Sequence, residues 1–233
     1  MSQHRDRAEL RIVVSANGPY LVYGAVPLGV DAIAPNKEGG SWSWREVCEL
    51  PAKDVYALCR CGRSETKPFC DGTHAKIQFD GTETATRAGH DQQSQVVEGP
   101  ALELRDAEAL CAFARFCDNY GTIWGRVEHG DERSREIVKH EAEHCPSGRL
   151  VVIDRATGVA LEPAFEPSIR LLEDPEKECS GPIFVRGGIL VESQDGTPYE
   201  RRNRVTLCRC GASENKPFCD GAHASIGFQD GLG

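Results

Sequence analysis

One seventeen-residue cysteine-rich stretch occurs twice, near the two ends of the chain, and it constrains the molecule more than any other feature. Residues 59–75 read CRCGRSETKPFCDGTHA and residues 208–224 read CRCGASENKPFCDGAHA. Fourteen of the seventeen positions are identical, so the two copies are one site used twice. Each holds three thiols and one imidazole, spaced C-x-C, eight residues, C, three residues, H. That is the donor count of a four-ligand metal or iron-sulfur centre.

The spacing suggests how the donors meet. Val55 to Cys61 and Val205 to Cys210 read as strands, which would point Cys59 and Cys61 to one face, and likewise Cys208 and Cys210. Pro68-Phe69 and Pro217-Phe218 then lead into Cys-Asp-Gly-x-His, where Asp71 and Asp220 are expected to cap a short helix. On such a helix Cys70 and His74, or Cys219 and His223, lie four apart on one side. An anionic group there would face the unpaired N–H groups of the first turn. The glycines that follow each C-x-C and each aspartate let backbone come close to a bulky inorganic core. A tetrahedral zinc ion also takes three cysteines and a histidine, so the donor set by itself leaves both chemistries open. Zinc ligands usually come in C-x2-C or H-x3-H pairs, which the C-x-C opening does not match.

The pattern C-x-C-x2-[ST]-x3-P-x-C-D-G-[SAT]-H resembles that of the CDGSH iron-sulfur domains, the family that includes mitoNEET, and the chain meets every fixed position twice. The resemblance implies a [2Fe-2S] cluster in each copy, with Cys59 and Cys61 on the inner iron and Cys70 and His74 on the outer. Cys208, Cys210, Cys219 and His223 would repeat the arrangement. The family's usual serine before the histidine is Thr73 in one copy and Ala222 in the other, so a hydroxyl there is not needed for ligation. Single-motif members exchange strands in homodimers, which implies that this chain forms the same pair internally, as a monomer with a pseudo-twofold axis and a β cap.

The likeness between the two ends extends past the metal motif. Leu10 to Val14 is a β-like run, and Gly18-Pro19 launches a strand that ends at Gly24, as Gly181-Pro182 launches one that ends at Gly187. Roughly residues 12–81 recur as 176–231, with a longer loop, Asp31 to Glu46, in the first copy. One copy is too short to bury its own sheet, so the halves should need each other. The expected fold is α+β, with half-repeats at 1–81 and 176–233 around an inserted, ferredoxin-like α/β segment at 82–175.

In that insert, Thr82 to Ser94 reads as a linker. Asp106 looks like the cap of a helix over Ala107 to Cys117, and Asp131 to His144 like a second, charged helix stopped by Pro146 and Gly148. Leu150 to Ile153 and Val159 to Leu161 read as a hairpin. Pro163, Pro167 and Pro175 mark the return to the second repeat. Cys111 and Cys117 form C-x5-C, and Cys145-Pro146-Ser147-Gly148-Arg149-Leu150 follows after 27 intervening residues. This resembles the divergent single-cluster ferredoxins and implies one [3Fe-4S] or [4Fe-4S] cluster on Cys111, Cys117 and Cys145. Two facts oppose it: Cys117 lies on the apolar face of the expected helix, and an unbroken helix turns residues six apart to about 120° from each other. Cys179 is a candidate fourth ligand, otherwise a free thiol like Cys48.

His140-Glu141-Ala142-Glu143-His144 matches the H-E-x-x-H zinc-protease signature, but the helix ends immediately afterwards and no third ligand is marked. Otherwise no nucleophile-and-base set, phosphate loop or dinucleotide fingerprint appears, so the chain is not expected to be an enzyme. The net charge of −9 argues against nucleic acid. A polar start without a leader's apolar run, no span long enough to cross a bilayer, and eleven cysteines point to a cytoplasmic metal protein. The expected role is electron transfer or redox signalling with a redox partner protein; the alternatives are cluster donation to an apo-protein and a zinc-stabilised interaction module. A neutral imidazole in place of a thiolate should raise the potential and make the centre sensitive to acid.

Overall fold

The computed structural model describes residues 10–232; the polar start of the chain lies mostly outside them, at residues 1–9. The first part contains β1 (Arg11–Val14), β2 (Tyr20–Tyr23), β3 (Leu28–Pro35), β4 (Ser41–Leu50), β5 (Val55–Leu58) and α1 (Thr73–Lys76). The middle contains α2 (His90–Gln93), β6 (Gln95–Glu98), β7 (Leu102–Asp106), α3 (Ile123–Val127), α4 (Glu132–His144), β8 (Leu150–Asp154) and β9 (Val159–Ala160). The last part contains β10 (Ser168–Asp174), β11 (Cys179–Arg186), β12 (Leu190–Ser193), β13 (Arg204–Leu207) and α5 (Ala222–Ser225). Sheet thus outweighs helix in an α+β fold. Among the described residues no helix is long and apolar enough to cross a membrane.

The strands follow the period-two pattern of their sequence. Ile12 and Val14 of β1 and Tyr20 and Val22 of β2 are fully buried, with less buried neighbours between them. One sheet runs β12-β1-β2-β5 and another β13-β11-β10-β3-β4. Each contains an antiparallel trio from one end of the chain, β1-β2-β5 or β10-β11-β13. Each trio is completed by a parallel strand from the other end: Ile12 of β1 lies opposite Val191 of β12, and Leu171 of β10 opposite Val30 of β3. One core therefore draws on both ends, with Tyr20, Leu28 and Leu58 packed together with Ile169, Ile183 and Leu207.

Two expectations are corrected here. Asp31 to Glu46, read as a loop, is a hairpin in which Ala32 of β3 faces Arg45 of β4 and Ile33 faces Trp44. The reason is tertiary: β3 is held between β4 and β10, and Trp44 packs on Phe116 and Phe184. β10, which falls in the segment read as an insert, pairs instead with β3 and β11, and all seven of its residues are buried. A strand covered on both faces loses the alternation that would reveal it.

The middle segment has its own core. The sheet β6-β7-β8-β9 packs Leu102, Leu104, Leu150 and Val152 against Ile123, Val127 and Val138 of the helices. The hairpin β8–β9 and the charged helix form as their sequences indicate, and Asp131 caps α4 by accepting from the Ser134 amide at 3.0 Å. The helix expected over Ala107 to Cys117 does not form. Two 3-10 turns, Glu108–Leu110 and Phe116–Asp118, flank an irregular stretch in which Phe113 and Arg115 have φ of 56° and 60°.

Arg204 ties this segment to the second repeat. Almost wholly buried on β13, it donates to the carbonyls of Ala142 (2.9 Å), Cys145 (2.8 Å) and Leu150 (3.1 Å) and pairs with Glu162. It adds a second donor to the Ala142 and Cys145 carbonyls, which already accept from the Cys145 and Gly148 amides, and so locks the end of α4 onto β13. Arg204→Leu should lower unfolding stability by on the order of 3 kcal/mol, read from urea midpoints, because one change removes three hydrogen bonds from a charged donor and leaves the Glu162 carboxylate without its guanidinium. Glu141 of α4 is fully buried, and burial pushes its carboxyl up to about 7, with Arg126 and Asp118 facing it. A raised folded-state carboxyl pKa costs stability as pH climbs from the unfolded value towards and past the folded one. Glu141→Gln should therefore stabilise the chain more at pH 8 than at pH 5.5, by about 2 kcal/mol in the same assay.

Candidate metal centres

Both repeats build their donor sets in the same way. β5 and β13 end at Leu58 and Leu207, so the C-x-C pairs sit just beyond the strands instead of within them. The bend past each strand is held by the next stretch of motif. The Cys59 amide donates to the Pro68 carbonyl and the Cys208 amide to that of Pro217, both at 2.8 Å. The Cys70 and Cys219 amides return to the Ala57 and Thr206 carbonyls, both at 2.9 Å. Ser64 and Ser213 donate to the carbonyls of Phe69 and Phe218, and Lys67 and Lys216 to those of Ser64 and Ser213. Asp71 and Asp220 are not the N-caps; Gly72 and Gly221 are, each at φ 87°. The aspartates instead bridge, accepting from the Glu65 and Thr73 amides in one copy and from Glu214 and Ala222 in the other. The Glu65 and Thr73 amides hold the Asp71 carboxyl well below its ordinary range.

The donors emerge as two pairs per site. Cys59 Sγ and Cys61 Sγ are 3.8 Å apart, as are those of Cys208 and Cys210. Cys70 Sγ stands 3.3 Å from His74 Nδ1, and Cys219 Sγ 3.4 Å from His223 Nδ1. Among the described residues no three His, Cys, Asp or Glu side chains form a group suited to one metal ion. Burial pushes the Cys61 thiol up to about 11 and also raises Cys70 and Cys219; Cys210 is raised by its hydrogen bond with Cys208 and by burial. The same hydrogen bond lowers Cys208 to about 6, whereas the thiolates of Cys61, Cys70, Cys210 and Cys219 need a cation to compensate them, which suits ligands of a positive inorganic core. Burial lowers His223 to about 4, leaving a neutral ring with a free lone pair.

The two sites stand back to back. A Cβ on Gly62 would overlap the Cys210 carbonyl, and one on Gly211 would lie 2.7 Å from the Cys61 carbonyl oxygen. Glycine is required at both by this approach and by φ of 71° and 83°. The residue between the cysteines of each pair, whose role is not evident from the motif, is a buried arginine. Arg60 donates to the carbonyls of Ser15 and Gly81; Arg209 donates to those of Gly181 and Leu172 and pairs with Glu173 and Asp230. Its presence in both copies was the available signal.

The irregular stretch at 111–115 removes the objection to a third site. Without a helix to splay them, Cys111 and Cys117 line one pocket with Cys145, Pro146, Ser147 and Arg149. Cys145 ends α4, and Arg149 is anchored by Asp106 through contacts of 2.5 and 2.8 Å. Burial pushes Cys117 up to about 12. Cys179 is elsewhere, in a pocket with Glu173 and Asp174, and Cys48 is exposed on β4. The H-E-x-x-H histidines are engaged by the fold: His140 Nε2 lies 2.9 Å from the Trp42 carbonyl, its ring stacks on Trp42, and His144 Nδ1 meets the His140 carbonyl at 2.8 Å.

Comparison with known families agrees with this geometry. The iron-binding zinc finger of CDGSH type matches residues 17–75 and 180–224, and the divergent 4Fe-4S mono-cluster family matches residues 97–155 between them. No curated protein matches the chain. The matched stretches contain the eight donors of the two repeats together with Cys111, Cys117 and Cys145, and they show two regions similar to the CDGSH type flanking one similar to the divergent 4Fe-4S mono-cluster family, which supports an iron-sulfur protein.

Proposed function

We propose that the chain binds two [2Fe-2S] clusters, one on Cys59, Cys61, Cys70 and His74 and one on Cys208, Cys210, Cys219 and His223, with a third cluster of [3Fe-4S] or [4Fe-4S] type on Cys111, Cys117 and Cys145. The observation that carries this reading is that the four donors of each site come as two separate pairs, a thiol pair and a thiol–imidazole pair, and that among the described residues no three of them gather around one point as a single tetrahedral zinc would need. A bound cluster of this kind supplies a one-electron couple. The chain's own residues hold the donors, keep the His223 ring neutral and place a buried guanidinium behind each C-x-C pair.

The role that follows is electron transfer with a protein redox partner, without catalysis of its own, by a monomer whose exchanged strands take the place of the family's dimer. The half-buried Cys70 and His74 favour a second reading, in which the first centre is donated to an apo-protein. Mixing the holo-protein with an apo-ferredoxin tests this, since donation transfers visible absorbance to the acceptor and electron carriage does not.

Anaerobic purification from iron-replete cells should give a coloured protein with about seven or eight irons per chain and matching sulfide. A colourless, zinc-loaded chain would remove the whole assignment. Cys117→Ala should lower the iron count by about three or four while the [2Fe-2S] absorbance stays.

A further inference from the structure

We propose that the two repeated centres are unequal: residues 109–115 of the middle segment form a fixed cover over the histidine corner of the second, so external partners reach iron at the first. The inference rests on the iron-sulfur reading and deepens it by assigning the place of exchange.

The two corners have the same backbone. Gly72 and Gly221 share a φ of 87°, and the Ala75 and Ala224 amides donate to them at 3.1 Å. The Ile77 and Ile226 amides return to Thr73 and Ala222, again both at 3.1 Å. What differs is what lies on top. A Cβ added to Gly72 meets nothing within 4 Å, whereas one on Gly221 would stand 3.1 Å from Phe113 Cβ and 3.5 Å from the Cys111 carbonyl oxygen.

Polar ties hold the cover in place. Asn215 Nδ2 donates to the Ala109 carbonyl at 2.8 Å, and Arg115 grips Asp174 at 2.5 and 3.1 Å. The position of Asn215 is Thr66 in the first repeat, which has no side-chain amide to offer. The Arg115–Asp174 pair is itself largely buried, so its loss would leave a charge poorly solvated. Burial follows the cover: Cys219 and His223 are 2% and 4% exposed, while Cys70 and His74 are only half-buried. A chelator, an acceptor thiolate or a docking redox protein must approach this corner to reach iron, and only the first corner admits it.

Hydrogen exchange on the full-length protein as isolated tests the cover without depending on iron. The Ala224 and Ile226 amides should exchange at least about tenfold more slowly than those of Ala75 and Ile77, since equal hydrogen bonds leave local opening as the difference. Arg115→Ala, and separately Asn215→Thr, should shrink that gap to about threefold or less. Equal exchange in the unaltered chain, or a gap that neither variant narrows, would overturn the proposal. In the second arm, iron is withdrawn with a chelator and freed thiols are alkylated and mapped. Cys70 should be labelled before Cys219, and simultaneous labelling would also overturn it. An iron-free preparation would remove the iron-sulfur reading, while the exchange gap still decides whether the cover exists.

Discussion

Neither trio of antiparallel strands closes its own sheet, and the rest of the structure depends on this. β1 and β10 each present a free edge, and each edge takes a parallel strand from the opposite end of the chain. An unpaired edge of buried backbone is costly, so the two ends are committed to one another before any metal is considered. The exchange also places the C-x-C loops back to back, with backbone touching backbone at Gly62 and Gly211. Each donor set is therefore positioned by a core to which both repeats contribute.

Buried arginines recur where the ladders stop. Arg60, Arg204 and Arg209 are each almost wholly buried: Arg60 donates to loop carbonyls, Arg204 chiefly to the end of α4, and Arg209 to Leu172 and Gly181 where the pairing of β10 with β11 is irregular. A guanidinium carries five donors in a rigid fork, which suits it to joining several acceptors from different segments at once. Arg60 and Arg209 do so directly behind the thiol pairs, and Arg204 does so where α4 delivers Cys145.

The middle segment breaks the equivalence that the repeats would otherwise have. It packs its own sheet and two helices into a separate small core, yet its loop at 111–115 lies on the second donor set and not the first. Phe113 and Arg115 adopt positive φ there, a conformation disfavoured for such side chains and supported by the Arg115–Asp174 pair and the contact with Gly221. That departure from the helix is also what brings Cys111, Cys117 and Cys145 to one pocket.

What the sequence determined by itself was the set of candidate donors, the repetition of that set, and the strands and capped helix whose periodicity is local. The Gly18-Pro19 turn before β2 and the Asp131 cap are short-range signals with counterparts in the structure, whereas Gly181-Pro182, read as a turn that launches a strand, lies inside β11. The tertiary structure alone decided the rest. β10 is buried on both faces and so shows no alternation; Asp31 to Glu46 becomes a hairpin because β3 gains a distant partner; and residues 107–117 give up helical periodicity for contacts with the second repeat. In each case the deciding contact joins residues far apart in sequence, and a local pattern carries no record of such a partner.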